Sequence, residues 1–166
     1  MRKLGIIAVL SLMALALAAV PALADSPHFN RASATLDNTT GNLVVSFKES
    51  GLGTNQNIDY LATANASADY QCWNNGGKHP KAGNKATVSG PVSADGTFGS
   101  GKNGTISQTL TLMPPDQGAF SCPAGQTLYL QSVTYENVSL TDTTNGIAAD
   151  LSTGPYSSGT LHIAVL

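Results

Sequence analysis

The sequence predicts an all-β fold: a two-sheet antiparallel β-sandwich of immunoglobulin-like type, with a closed or partly open β-barrel as the alternative. Three observations carry that reading. Short apolar runs alternate with polar residues at period two, turn-forming residues separate them, and nothing after the N-terminal segment sustains a period of 3.6. Leu43, Val45 and Phe47 share one parity, with Ser46 and Lys48 on the other. Ile106, Leu110 and Leu112 oppose Thr105, Ser107, Thr109 and Thr111, and Leu161, Ile163 and Val165 oppose His162 and Ala164. Successive side chains of a strand point to opposite faces, so each run reads as half-buried, and the Thr rows suit a solvated pleated face.

Strands are expected near 31–37, 42–50, 57–64, 67–73, 85–92, 104–113, 127–135, 137–143 and 160–165. Turn chemistry falls between them at Asn38-Thr39-Thr40-Gly41, Ala94-Asp95-Gly96, Gly99-Ser100-Gly101 and Pro114-Pro115-Asp116. The parity of apolar positions changes between Val133/Tyr135 and Val138/Leu140, which predicts a bulge or tight turn at Glu136-Asn137.

The N-terminus has the organisation of a secretory signal. Arg2 and Lys3 precede an almost wholly apolar run from Leu4 to Val20, Pro21 breaks it, and Ala22-Leu23-Ala24 is a small-x-small cleavage site. The run is close to the shortest that could span a bilayer, and the cleavage site decides against an anchor. The expected organisation is a signal over 1–24 and one sandwich domain over 25–166, secreted and without a membrane segment after cleavage. Removing Arg2 and Lys3 leaves six cations against ten carboxylates, the opposite of a nucleic-acid footprint. Cys72 and Cys122 are the only cysteines, and an oxidising compartment predicts one bridge between them. Closing that loop is worth about 4 kcal/mol at most in the chain-entropy account.

Several stretches carry a resemblance. They are Leu43 to Gly53, Asn74 to Pro80, Asn84-Lys85, Ser89-Gly90-Pro91-Val92, Phe120-Ser121-Cys122-Pro123 and Thr141 to Asn145. Together they resemble a family of small secreted single-domain proteins that has no established function. The resemblance implies the secreted, single-domain organisation and assigns no catalytic residue.

Catalytic motifs are thin. Gly99, Gly101 and Gly104 satisfy G-x-G-x-x-G, and Gly96 to Lys102 matches most of a phosphate loop, but Asn103 stands where Ser or Thr would bind magnesium. Both motifs need a following helix, whereas Ile106 to Leu112 reads as a strand. There is no G-x-S-x-G and no H-E-x-x-H, and Glu49 and Glu136 are the only glutamates. His28, His79 and His162 lack zinc-finger spacing, and Asp142-Thr143-Thr144-Asn145-Gly146 lacks the spacing and closing Glu of a calcium loop. The reading is therefore non-catalytic, with no metal and no cofactor.

The best local candidate surrounds the first cysteine. If Cys72 faces inward, alternation sends Tyr70 inward and Trp73 outward. Lys78, His79 and Lys81 follow in a glycine-containing loop, and the bridge to Cys122 draws in the 114–126 segment with Phe120. Trp73, Lys78, His79, Lys81 and Phe120 are thus the candidate ligand-binding residues, suited to an acidic sugar or carboxylate-bearing polymer. The plainer alternative is a solvated lysine loop with Trp73 covering an edge of the core. The function expected is an extracellular binding or interaction module for a polysaccharide or cell-surface component. A structural role in a matrix or coat is the alternative, and a polysaccharide-active hydrolase ranks below both. The intact mass of secreted material should correspond to a chain starting at Asp25 and two hydrogens lighter than its reduced form; a retained Met1 or two free thiols would refute the compartment argument.

Overall fold

Nine strands form among the described residues: β1 (His28–Leu36), β2 (Leu43–Ser50), β3 (Asn57–Asn74), β4 (Lys85–Gly99), β5 (Ile106–Leu112), β6 (Gln126–Asp142), β7 (Ile147–Ala148), β8 (Tyr156–Ser157) and β9 (Ile163–Ala164). The structure is a computed structural model and describes residues 26–74 and 84–165. The signal over 1–24 and the loop residues Lys78, His79 and Lys81 lie outside them.

Two antiparallel sheets face each other. The smaller has the order β1-β2-β5; the larger has β4-β3-β6, with β7, β8 and β9 all pairing along the far edge of β6. The sheets do not close into a barrel, so the sandwich is the architecture found. β4 comes close to β5 on one side, and β1 touches β8 on the other.

Three strands are longer than the sequence pattern suggested. β3 runs unbroken through 57–74, where two strands were expected, because Ala62, Ala64, Ala66 and Ala68 keep a single inward parity. These four small side chains line the middle of the inner face, between Tyr60 and Tyr70. Ala94-Asp95-Gly96, read above as a turn, lies inside β4: Gly96 pairs with Tyr60, and a Cβ there would strike the Phe98 ring at 2.8 Å. The glycine makes room for an aromatic ring within the strand.

β6 is also one strand instead of two. Its inward residues are Leu128 and Leu130, then Val133 and Tyr135, then Val138, Leu140 and Asp142. Each break in parity is a bulge. One falls at Asn137, whose φ is +54°, and the other at Gln131, where the register against β3 slips between Asp69 and Tyr70. Glu136-Asn137 was predicted as a bulge or turn, and the bulge is what forms. The two bulges divide the outer edge of β6 into three segments, and the chain running back along it pairs only in the two-residue strands β7, β8 and β9. The strand expected over 160–165 is the last of these.

The core is apolar and rich in aromatics. Phe29, Phe47, Tyr60 and Phe98 cluster at one end, with ring centroids of Phe47 and Tyr60 4.5 Å apart. At that end Ser100 is buried and joins two loops, donating to the Gly53 carbonyl at 2.6 Å and accepting the Gln56 N–H at 2.9 Å. At the other end the bridge joins Cys72 to Cys122. Tyr70 is turned inward and donates to the Pro115 carbonyl at 2.7 Å. Tyr135, fully buried, donates to the Gly41 carbonyl at 2.9 Å, with the Leu112 carbonyl at 3.2 Å as a second acceptor. Removing this hydroxyl takes a donor away from two buried carbonyls. Tyr135→Phe should destabilise the fold by about 1–2 kcal/mol in urea denaturation, with the far-ultraviolet circular dichroism unchanged; an unchanged midpoint would mean that the hydroxyl anchors nothing.

Candidate functional site

Alternation along β3 fixes the starting point. Cys72 is fully buried on the inner face, and Trp73 is turned to the outer face of the larger sheet. There it meets two rings. The Tyr129 centroid is 6.2 Å away and the His162 centroid 4.6 Å away, both close to edge-on. Tyr129 and His162 are stacked on each other at 3.9 Å with a 9° interplanar angle.

Strand register explains why these residues meet. Gln71 opposes Tyr129 and Trp73 opposes Thr127, so Tyr129 is a diagonal neighbour of Trp73 on one face. β9 then pairs Ala164 with Tyr129, and the Leu161 N–H donates to the Gln131 carbonyl at 2.6 Å, which holds His162 beside the tyrosine. Gln131 is the residue inserted by the second bulge, and its side-chain nitrogen lies 3.4 Å from His162 Nδ1. The bulge thus aims an amide at the edge of the aromatic stack.

A polar groove adjoins the stack. It is an open hollow of about 380 Å³, with Asp69, Gln71, Lys85, Thr87, Gln131 and Ser132 in its wall. Asp69 is its centre: one carboxylate oxygen accepts the Thr87 hydroxyl at 2.6 Å from β4, and the other accepts the Ser132 hydroxyl at 2.7 Å from β6. All three strands therefore fix the carboxylate. Carboxylate, amides and hydroxyls beside stacked rings can recognise a ligand with both hydroxyl groups and an apolar face.

Of the candidate residues, Trp73 belongs to this surface. Phe120 does not share it: its ring packs against the buried core, and its N–H donates to the Gln117 carbonyl. Lys78, His79 and Lys81 fall outside the described residues. Tyr129, His162, Asp69 and Gln131 were not singled out in the sequence. The polar parity of His162 was visible there, but its placement beside Tyr129 depends on β9 pairing with β6.

Among the described residues, no group of three or more His, Cys, Asp or Glu side chains is placed to hold a metal ion. The hydrogen bonds of the two described histidines run from His28 to Ser26 and Asn30, and from His162 to Gln131, and reach no carboxylate. The glycine-rich stretch around Gly99 to Gly104 connects β4 to β5 and opens no helix. A scan of family models found no match to the chain, and searches of curated proteins and of solved structures found none either.

Proposed function

We propose that the chain is a secreted, non-catalytic binding module whose ligand is a carbohydrate held on the outer face of the larger sheet. The observation that carries this reading is the Tyr129–His162 stack lying against the Asp69 groove. Sugars offer apolar C–H faces that pack on aromatic rings, and hydroxyls that donate to carboxylates and exchange hydrogen bonds with amides. A site built on paired strands loses little freedom when the ligand binds, which favours affinity. The bridge between Cys72 and Cys122 suits an oxidising, extracellular setting. Binding of the purified chain to neutral and to acidic polysaccharides tests the proposal. Tyr129→Ala and Asp69→Asn should each weaken binding about tenfold or more, about 1.4 kcal/mol or above, while unfolding midpoints confirm that the variants are folded. Folded variants that bind a confirmed sugar as well as the parent would rule this face out.

A second reading, self-assembly into a coat or matrix, is favoured by a different observation. On the outer face of the smaller sheet Arg31 and Lys48 are direct cross-strand partners, both exposed. Like charges placed opposite each other cost stability. The outer face of the larger sheet is acidic, with Asp59, Asp69, Asp95 and Glu136 exposed. One copy could therefore lay its basic face on the acidic face of the next, an arrangement that extends without closing. Such a contact is electrostatic, so sedimentation should show growth with concentration at ~0.05 M salt and its loss at ~0.5 M. A monomer under both conditions would eliminate this reading.

A further inference from the structure

Two carboxyl groups are buried together at the end of the sandwich opposite the disulfide. Glu49 follows Leu43, Val45 and Phe47 on the inner face of β2, and Asp142 follows Val138 and Leu140 on the inner face of β6; both are fully buried. They belong to facing sheets. Tyr60, which pairs with Asp142 across β3 and β6, lies with them and is 1% exposed.

The two acids are not equivalent. Asp142 accepts the backbone N–H of Asn145 at 2.9 Å and its side-chain N–H at 2.6 Å. Neither oxygen of Glu49 makes a hydrogen bond of good geometry, and nor does the Tyr60 hydroxyl, although Glu49 lies within interaction range of Tyr60 and Asp142. The cross-strand neighbours of Glu49 are Phe29 on β1 and Ile106 on β5, and Phe98 of β4 packs on Tyr60. Among the described residues, the cationic candidate acting on it is His28 of β1, which is itself exposed. An ionised Glu49 would thus be a second negative charge in a closed site, with no buried cation among the described residues to offset it.

We propose that a proton carried by Glu49 and shared with Asp142 latches the two sheets together at this end, so that the end loosens when the proton leaves. Neutral Glu49 can donate to Asp142 across the sheet interface, while the Tyr60 hydroxyl can donate to its carbonyl oxygen. Ionised Glu49 still accepts from Tyr60, but it has no proton to donate to Asp142 and repels that carboxylate instead. Burial pushes the Glu49 carboxyl up to about 7; the charge of Asp142 acts in the same direction, and Tyr60 and His28 act against both. A carboxyl raised on folding binds more protons in the folded chain than in the unfolded one. The stability it contributes is therefore complete below about 4.5 and lost as pH climbs to about 7.

The experiment is urea unfolding of the disulfide-bonded chain across pH, for the parent and for Glu49→Gln. The parent's unfolding constant should rise ~10²-fold more than that of Glu49→Gln between pH ~4 and ~8, because the amide keeps its bonding without titrating. Hydrogen exchange, corrected for intrinsic rates, should show amides near Tyr60 and Leu140 losing protection before those near Tyr70 and Leu130. Parallel pH profiles for parent and variant, or equal loss of protection at both ends, would overturn the latch. If Glu49→Gln does not fold, carboxyl-carbon labelling of glutamate decides the matter in the parent. The chain has two glutamates, and the other, Glu136, is exposed. A buried glutamate titrating near 7 supports the proposal, and one titrating as an ordinary carboxylate refutes it.

Discussion

The pairing of β3 with both its neighbours is the interaction on which the rest of this structure depends. Its 18 residues extend about 60 Å, and β4 and β6 match nearly all of that length. Strands this long are uncommon in globular proteins. The inner face of β3 uses alanine at its centre and tyrosine towards each end, so the facing sheet can approach closely in the middle while bulky side chains fill the ends. On the outer face, hydroxyl pairs such as Ser67–Ser89 and Thr63–Ser139 satisfy polar groups across the strands. The long ladder leaves two well-separated ends, and the molecule closes each by different chemistry.

At one end, side chains and a covalent bond tie long connections to the larger sheet. The bridge, the Tyr70 hydroxyl and the Tyr135 hydroxyl all anchor loops that carry little secondary structure. At the other end the loops are joined by Ser100, and the sheets meet through an aromatic cluster that encloses Glu49, Tyr60 and Asp142. Among the described residues the first end has no buried carboxyl group. The second contains a buried acid pair, and a pair of like-charged groups in a dry site cannot both ionise without cost.

The proposed binding surface lies at the disulfide end. Asp69 is fixed by hydroxyls from both neighbouring strands, and Tyr129 is supported by β9. The bulge at Gln131 has two effects: it breaks the outer edge pairing of β6, and it points an amide at the aromatic stack. The same irregularity that shortens β8 and β9 thus gives the sheet a feature other than a flat polar ladder. Pro91 sits in the middle of β4, which pairs only with β3 among the described residues, and it removes a backbone donor from that strand. Proline in an edge strand hinders sheet extension by a second chain, so contact between copies would use faces in preference to that edge.

The period-two alternation determined the all-β class and the burial of each strand's faces. It also carried the inward turn of Tyr70 and Cys72, the outward turn of Trp73 and the bulge at Asn137. It even contained the burial of Glu49 and Asp142, since each continues the apolar parity of its strand, although neither was read as buried. Those properties are local: the pleat of the backbone decides which way a side chain points, whatever the strand pairs with. The continuity of β3, β4 and β6 was not legible, because alanine and glycine inside a strand resemble interruptions until a facing ring or sheet explains their size. The meeting of His162 with Tyr129, and of Glu49 with Asp142, was decided by tertiary structure alone. Which strands pair, and in what register, depends on burying many side chains at once across distant parts of the chain, and no local pattern specifies that choice.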